Sequence, residues 1–284
     1  MEPSWLDTAN DIDQSTIEVD QKSYPFIQWV NGDRKLRAAG GVPYTGGWAM
    51  QCTHMDVETL PGWTRGELEH GAGTTECWFK RDLTVALIRS RKAWTVTARD
   101  GTTQLFAWDQ YDAARTLGQP RGKLQVLAFV QGLDPVLHGP FMLTLKGSYA
   151  RAITDTLIPL LNKQVIGVAN AANAKRGVKA RFPYRAFWVT IGPDREVSGE
   201  PRFTTVGKAP NTQQVVLPVA LGLADKLTMQ DVARLFVGAE LLRMATAVFE
   251  EAETWATALT KAPEPAVEAT TEATTGMGEE PIPF

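Results

Sequence analysis

Four stretches of the chain set aromatic rings beside cations: FIQWVNGDRKLR, CWFKRD, RSRKAWTVTARD and ARFPYRAFWVT. A polynucleotide asks for this mixture. Any base can stack on an aromatic face, worth about 1–3 kcal/mol per base, while Lys and Arg replace the counterions of phosphates. The basic runs Arg89, Arg91, Lys92 and Lys175, Arg176, Lys179, Arg181, Arg185 supply the candidate phosphate contacts. Trp94, Tyr184 and Trp188 are the candidate stacking rings. A single tryptophan is more at home in a core than on a surface. Nine of them in one chain, several next to cations, point as a set to a binding face. Neighbours on a strand face opposite ways, so in RAFWVTI one of Phe187 and Trp188 should be buried and the other exposed.

The charge pattern supports the same chemistry. The net charge of -3 conceals an asymmetry: residues 1–20 hold six acids and no Lys or Arg, and residues 250–284 hold eight acids and one Lys. The body between them, 21–249, carries 18 acids against 28 Lys plus Arg, a net of +10. A basic body between two acidic ends is the footprint of a polyanion-binding surface with solvated or interacting tails.

Signals for enzymes are sparse. There is no GxxxxGK[ST], no GxGxxG opening a helix, no HExxH and no CxxC, so no cofactor or metal is expected. The one metal-like set is Cys52, His54, His70 and Cys77, whose spacing lacks the close doublets of zinc sites. It defines a rival reading, a metal-dependent nucleic-acid enzyme. Two cysteines make no disulfide framework, the N-terminus carries Glu2 and Asp7 rather than a basic leader, and no window nears eighteen apolar residues. The expectation is a cytoplasmic, unprocessed protein with no membrane contact.

These residues must be positioned by a β-rich body. YPFIQWVNGD reads as a strand running into a glycine-rich loop. CWFKR, LTVALIR, AWTVTAR and QLFAWD read as strands separated by short polar turns, with Asp100-Gly101 as a hairpin signal. KLQVLAFVQG, FMLTLKG, RAFWVTI and QQVVLPVAL follow as further strands. Apolar residues at helical spacing from Ser148, a plausible cap, predict a helix to about Ala174, split or kinked at Pro159. A long final helix is predicted from Thr228 to about Leu259. The organisation is then a disordered acidic N-terminus (1–23), a β-rich nucleic-acid-binding domain (24–260), a flexible Ala/Thr/Glu/Pro linker (261–278) and an acidic interaction tip (279–284).

The tip, Glu279-Glu280-Pro281-Ile282-Pro283-Phe284, resembles the C-terminal end of bacterial and phage single-stranded-DNA-binding proteins (SSBs), an acidic run closed by Ile-Pro-Phe. The resemblance covers these six residues and the linker composition, with two Glu where Asp dominates in the family and an extra Pro281. It implies a non-catalytic protein that coats single-stranded DNA and recruits replication, repair and recombination proteins through a pocket for Phe284 and its carboxylate. A strand-annealing or recombination mediator could carry the same tip, and a homo-oligomer fits either role. The expected fold is α+β, with an OB-like barrel core elaborated by the two helices.

Overall fold

A computed structural model describes residues 24–31, 33–38, 43–44, 46–55, 57–70, 73–97, 103–207, 212–224 and 226–257, without the side chains of 33–38, 43–44 and 69–70. The acidic N-terminus (1–23), the Asp100-Gly101 turn, the linker and the tip lie outside the described residues.

Strands β1 (Phe26–Val30), β2 (Asp33–Ala38), β3 (Pro43–Tyr44), β4 (Gly47–Gln51), β5 (Thr64–His70) and β6 (Gly73–Lys80) form one half of a 12-stranded sheet. The other half comprises β7 (Leu83–Thr97), β8 (Thr103–Ala107), β9 (Arg121–Val130), β10 (Phe141–Lys146), β11 (Trp188–Pro193) and β14 (Pro218–Leu221). The order is β14-β11-β7-β9-β10-β1-β4-β6-β5-β2-β3, with β8 on β7. β1 and β10 join the halves in parallel, with Ile27 opposite Leu143. A separate antiparallel pair, β12 (Phe203–Val206) and β13 (Gln213–Val216), accounts for half of the QQVVLPVAL strand; the other half is β14.

The polar RSRK stretch is not a turn. LTVALIRSRKAWTVT runs as one strand of 15 residues, and only a register shift between Leu87 and Arg89 interrupts its pairing with β9. Alternation therefore sorts its residues. Val85 and Leu87 join the inner core with Leu124, Val126 and Ala128, while Ala86 and Ile88 join an outer cluster with Leu127 and Phe129.

The inner face wraps a helical run, 148–175. It comprises α-helices α3 (Ser148–Arg151), α4 (Ile158–Leu161) and α5 (Gly167–Lys175), joined by π-helical turns at Ala152–Leu157 and Asn162–Ile166. Ser148 is its first residue and Gly147, at φ 56°, precedes it, so Ser148 is not a cap. Pro159 does not split the run: Leu157 and Ile158 keep right-handed helical dihedrals. The wider π turn before it accommodates a residue that has no N–H to donate. The buried residues Ile153, Leu157, Leu161, Val165 and Ala169 recur every four positions. A pure α-helix at 3.6 residues per turn would rotate that repeat steadily off the sheet, and the π turns hold it in line.

The sheet is open, so the barrel expectation is overturned. Its path ends at β14 and β3 without returning on itself; β4 and β11, within the path, each pair on both edges, β4 with β1 and β6 and β11 with β7 and β14. They meet through a side chain instead: Trp48 Nε1, fully buried, donates to the Ile191 carbonyl at 2.9 Å.

The last two C-terminal helices cover the outer face, with Ala245 and Trp255 in the outer cluster, whereas the first sends Val232 into the inner core. Thr228 does start a helix, through a capping box with Asp231, but the predicted single helix is three: α6 (Met229–Leu235), α7 (Ala239–Glu251) and α8 (Glu253–Thr257). The break comes where Val237 N–H donates to the Ala186 carbonyl and Gly238 takes φ 93°. Phe236 there meets Phe182 and Phe187 edge-on. Two short helices, α1 (Tyr111–Leu117) and α2 (Pro135–His138), sit in connections. No helix among the described residues is long and apolar enough to cross a membrane.

Trp48 and its neighbour Trp29 provide an internal comparison, because the buried Trp29 Nε1 has no hydrogen-bond partner among the described residues. Trp48→Phe should cost about 0.5–1.5 kcal/mol more than Trp29→Phe, since it removes a buried hydrogen bond to the Ile191 carbonyl that has no counterpart at Trp29. Equal urea midpoints for the two variants would contradict the side-chain closure.

Candidate nucleic-acid interface

The face assignment along β7 divides the sequence-predicted residues. Arg89 and Arg91 point to the outer face, where they hold the C-terminal helices. Arg89 donates to the Phe249 carbonyl at 2.7 Å and to Glu253 at 2.6 Å. Arg91 donates to Gln125 Oε1 at 2.8 Å and to the Trp255 carbonyl at 2.6 Å, with its guanidinium 4.2 Å from the Trp255 ring. Burial lowers Arg91 to about 10, which leaves it charged at neutral pH. Arg185 completes this group, bonded to Thr246 at 3.1 Å and lying over the Phe249 ring. Burial lowers its pKa, against an opposing pull from Glu250. These three cations act in packing.

Trp188 also belongs to that outer cluster, half-buried against it, whereas Phe187 is 6% exposed and in the inner core. The alternation expected at this pair holds, with Trp188 covered rather than free. Lys179 and Arg181 are exposed on the segment after α5. The ring beside them, Phe182, is engaged by Phe187 and Phe236. Asn170 Oδ1 accepts from the Phe182 N–H at 2.9 Å, tying this segment to α5.

Lys92 and Trp94 point the other way, to the mouth where the helical run enters the sheet. Trp94 stacks on Trp108 with centroids 4.2 Å apart and planes within 7°, and donates its Nε1–H to the Trp108 carbonyl at 2.8 Å. Tyr111 meets Trp94 edge-on at 4.9 Å. Trp108 and Tyr111 remain 46% and 43% exposed. The exposed Lys92 holds its ammonium 5.5 Å from the Trp108 ring. Gly122, opposite Trp94 on β9, lies beside both rings, where a Cβ would make an ordinary contact with Trp108 at 3.7 Å.

A groove of about 360 Å³ opens beside this pair, lined also by Gly147, Ala150, Arg151 and Thr154. The exposed Arg151 lies 3.5 Å from Asp155. Hydrogen bonding from Thr154, then Arg151, holds the Asp155 carboxyl below its ordinary range. A second, more apolar groove of about 320 Å³ adjoins it, sharing Lys92, Leu124 and Thr154 and reaching Tyr184. It follows β7 where its outer edge has no strand partner, between β11 at Ala86 and β8 at Ala93.

Of the residues expected from sequence, the structure therefore gathers Lys92, Trp94 and Tyr184 along one trough. Trp108, Tyr111 and Arg151 complete it. The sequence criterion, a ring beside a cation, passed over Trp108 because its neighbour is Asp109. The pair of aromatics three apart in WDQY was the available signal.

The four residues of the metal reading do not converge among the described residues. Cys77 is buried and pushed up to about 11 by burial and by Cys52. His54 packs its ring edge-on against Phe26 at 4.8 Å, and burial lowers its pKa. The His70 side chain lies outside the described residues, and no group of three possible ligands occurs among those described. Comparison with family models, curated proteins and solved structures finds no match to this chain.

On the outer face Lys123 is opposite Lys146 on β10, and burial, then Lys146 and Arg91, lower it to about 8. An unfolded lysine keeps its proton to about 10.4, so between these values the unfolded chain binds more protons and stability rises with pH. Lys123→Met should therefore be more stable than wild type at pH 7, with the gap closing by about pH 10. Urea midpoints at both pH values check this, and a gap independent of pH contradicts it.

Proposed function

We propose that the protein binds single-stranded DNA without reading its sequence, laying bases on the Trp94–Trp108–Tyr111 platform while Lys92 and Arg151 meet adjoining phosphates. One observation carries the reading: a stacked tryptophan pair that keeps an exposed indole and is bordered by exposed cations. A core has no use for a half-exposed Trp108, and a base offers the flat partner it lacks. The charge of the body supplies the long-range attraction. The open sheet does not weaken the argument, because function rests on the site rather than on a barrel.

The acidic tip, by its resemblance to SSB tips, gives this binding a purpose: capture of replication and repair proteins through Phe284. Phe284→Ala should abolish that capture at a cost of about 2 kcal/mol or more, the scale of a hot-spot anchor, while single-strand affinity stays the same. Pull-downs with an SSB-tip-binding host protein test it, and undiminished capture removes the tip from the account.

For the platform, Trp108→Ala should weaken binding to oligo-dT by about 1–3 kcal/mol with an unchanged melting temperature. Lys92→Gln should make the log–log salt dependence shallower by about 0.7. Trp188→Ala should instead lower the melting temperature. Oligo-dT affinity that is flat across salt, or indifferent to Trp108, contradicts the proposed function.

A further inference from the structure

Beyond the platform, on the opposite face of the same strands, lies a pocket of about 240 Å³ lined by Thr95, Thr97, Gln119, Arg121 and Lys146. Strand pairing explains the convergence. Thr95 is opposite Arg121, and Lys146 is opposite Lys123, two residues along β9 from Arg121. Cross-strand partners and alternate residues share a face, so all of these side chains leave the sheet on one side.

The lining offers a guanidinium, an ammonium, two hydroxyls and an amide, and no carboxylate. Arg121 and Lys146 are exposed, and neither makes an ion pair among the described residues. Two exposed cations beside one pocket, with no counter-charge among the described residues, leave their donors available to an anion. Lys123, opposite Lys146, has its pKa lowered first by burial and only then by Lys146 and Arg91.

The pocket is also continuous with the platform. A shallow depression lined by Tyr111, Arg115 and the 116–120 segment shares Thr97 and Gln119 with it. At its other end Tyr111 touches Trp94.

We infer that Arg121 and Lys146, with Thr95, Thr97 and Gln119, form a second phosphate subsite, which takes the backbone of a strand that passes from the platform around α1 to the outer face. The inference rests on the proposed function and extends it: a strand longer than the platform bends over the edge of the sheet instead of continuing across it. Arg115, on the way, is positioned to meet an intervening phosphate.

The test uses the full chain and the double variant Arg121→Gln/Lys146→Gln, with dT oligomers of about five and about twenty-five nucleotides, a span bracketing the usual site size of one binding module. Tryptophan fluorescence reads binding, and a melting curve confirms that the variant is folded. Expected is equal affinity of both proteins for the short oligomer. For the long one, the variant should lose about ten-fold, with a salt slope shallower by about 1.4, two contacts at about 0.7 each. A variant matching wild type in affinity and slope for the long oligomer overturns the subsite and leaves the platform standing. A wild type that binds neither oligomer overturns the proposed function itself, and the strand path with it.

Discussion

The two-residue alternation along β7 is the constraint on which the rest depends. β9 pairs with this strand along nearly its whole length, which fixes every side chain between Arg89 and Thr97 to one face or the other. Arg89 and Arg91 fall on the outer face and become the hooks that hold α7 and α8. Lys92 and Trp94 fall on the inner face, beyond the end of the buried core, and border the open trough. A shift of one residue in the register would exchange these roles, burying Lys92 and Trp94 beneath the helices and exposing the two arginines.

The outer hooks show why cations within a basic body need not be binding residues. Arg91 gives up hydration on burial, and Gln125, the Trp255 carbonyl and the Trp255 ring replace it. A guanidinium satisfied in this way has little left to offer a phosphate. Lys92, Arg121 and Lys146 make no hydrogen bond or ion pair among the described residues; Lys92 faces the Trp108 ring and the field of the Asp155 carboxylate. The distinction between structural and available cations is one of geometry, invisible in a count of charges.

How far the sequence was legible follows from the same distinction. Short-range features were readable: the alternating apolar runs placed most strands, helical spacing placed 148–175, and the start of the final helix was set at Thr228. What failed depended on distant contacts. RSRK looked like a turn because its polarity serves packing on helices that lie some 160 residues further along the chain. The final helix looked continuous because the Val237–Ala186 hydrogen bond that interrupts it joins residues remote in sequence. The barrel expectation took strand number for closure, whereas the strands pair in an open order that ends at β14 and β3. At the site, Lys92, Trp94 and Tyr184 were readable from composition, but Trp108 depended on a stacking partner that its neighbours in sequence do not disclose.

The central claim is that bases rest on the Trp94–Trp108–Tyr111 platform. Photocrosslinking with a single-stranded oligo-dT carrying 5-iodo-deoxyuridine, followed by peptide mapping, tests it most directly. The account predicts crosslinks to peptides containing Trp94, Trp108 or Tyr111. Crosslinks confined to the 179–188 segment or to α7 and α8, or none at all under saturating oligomer, would contradict it.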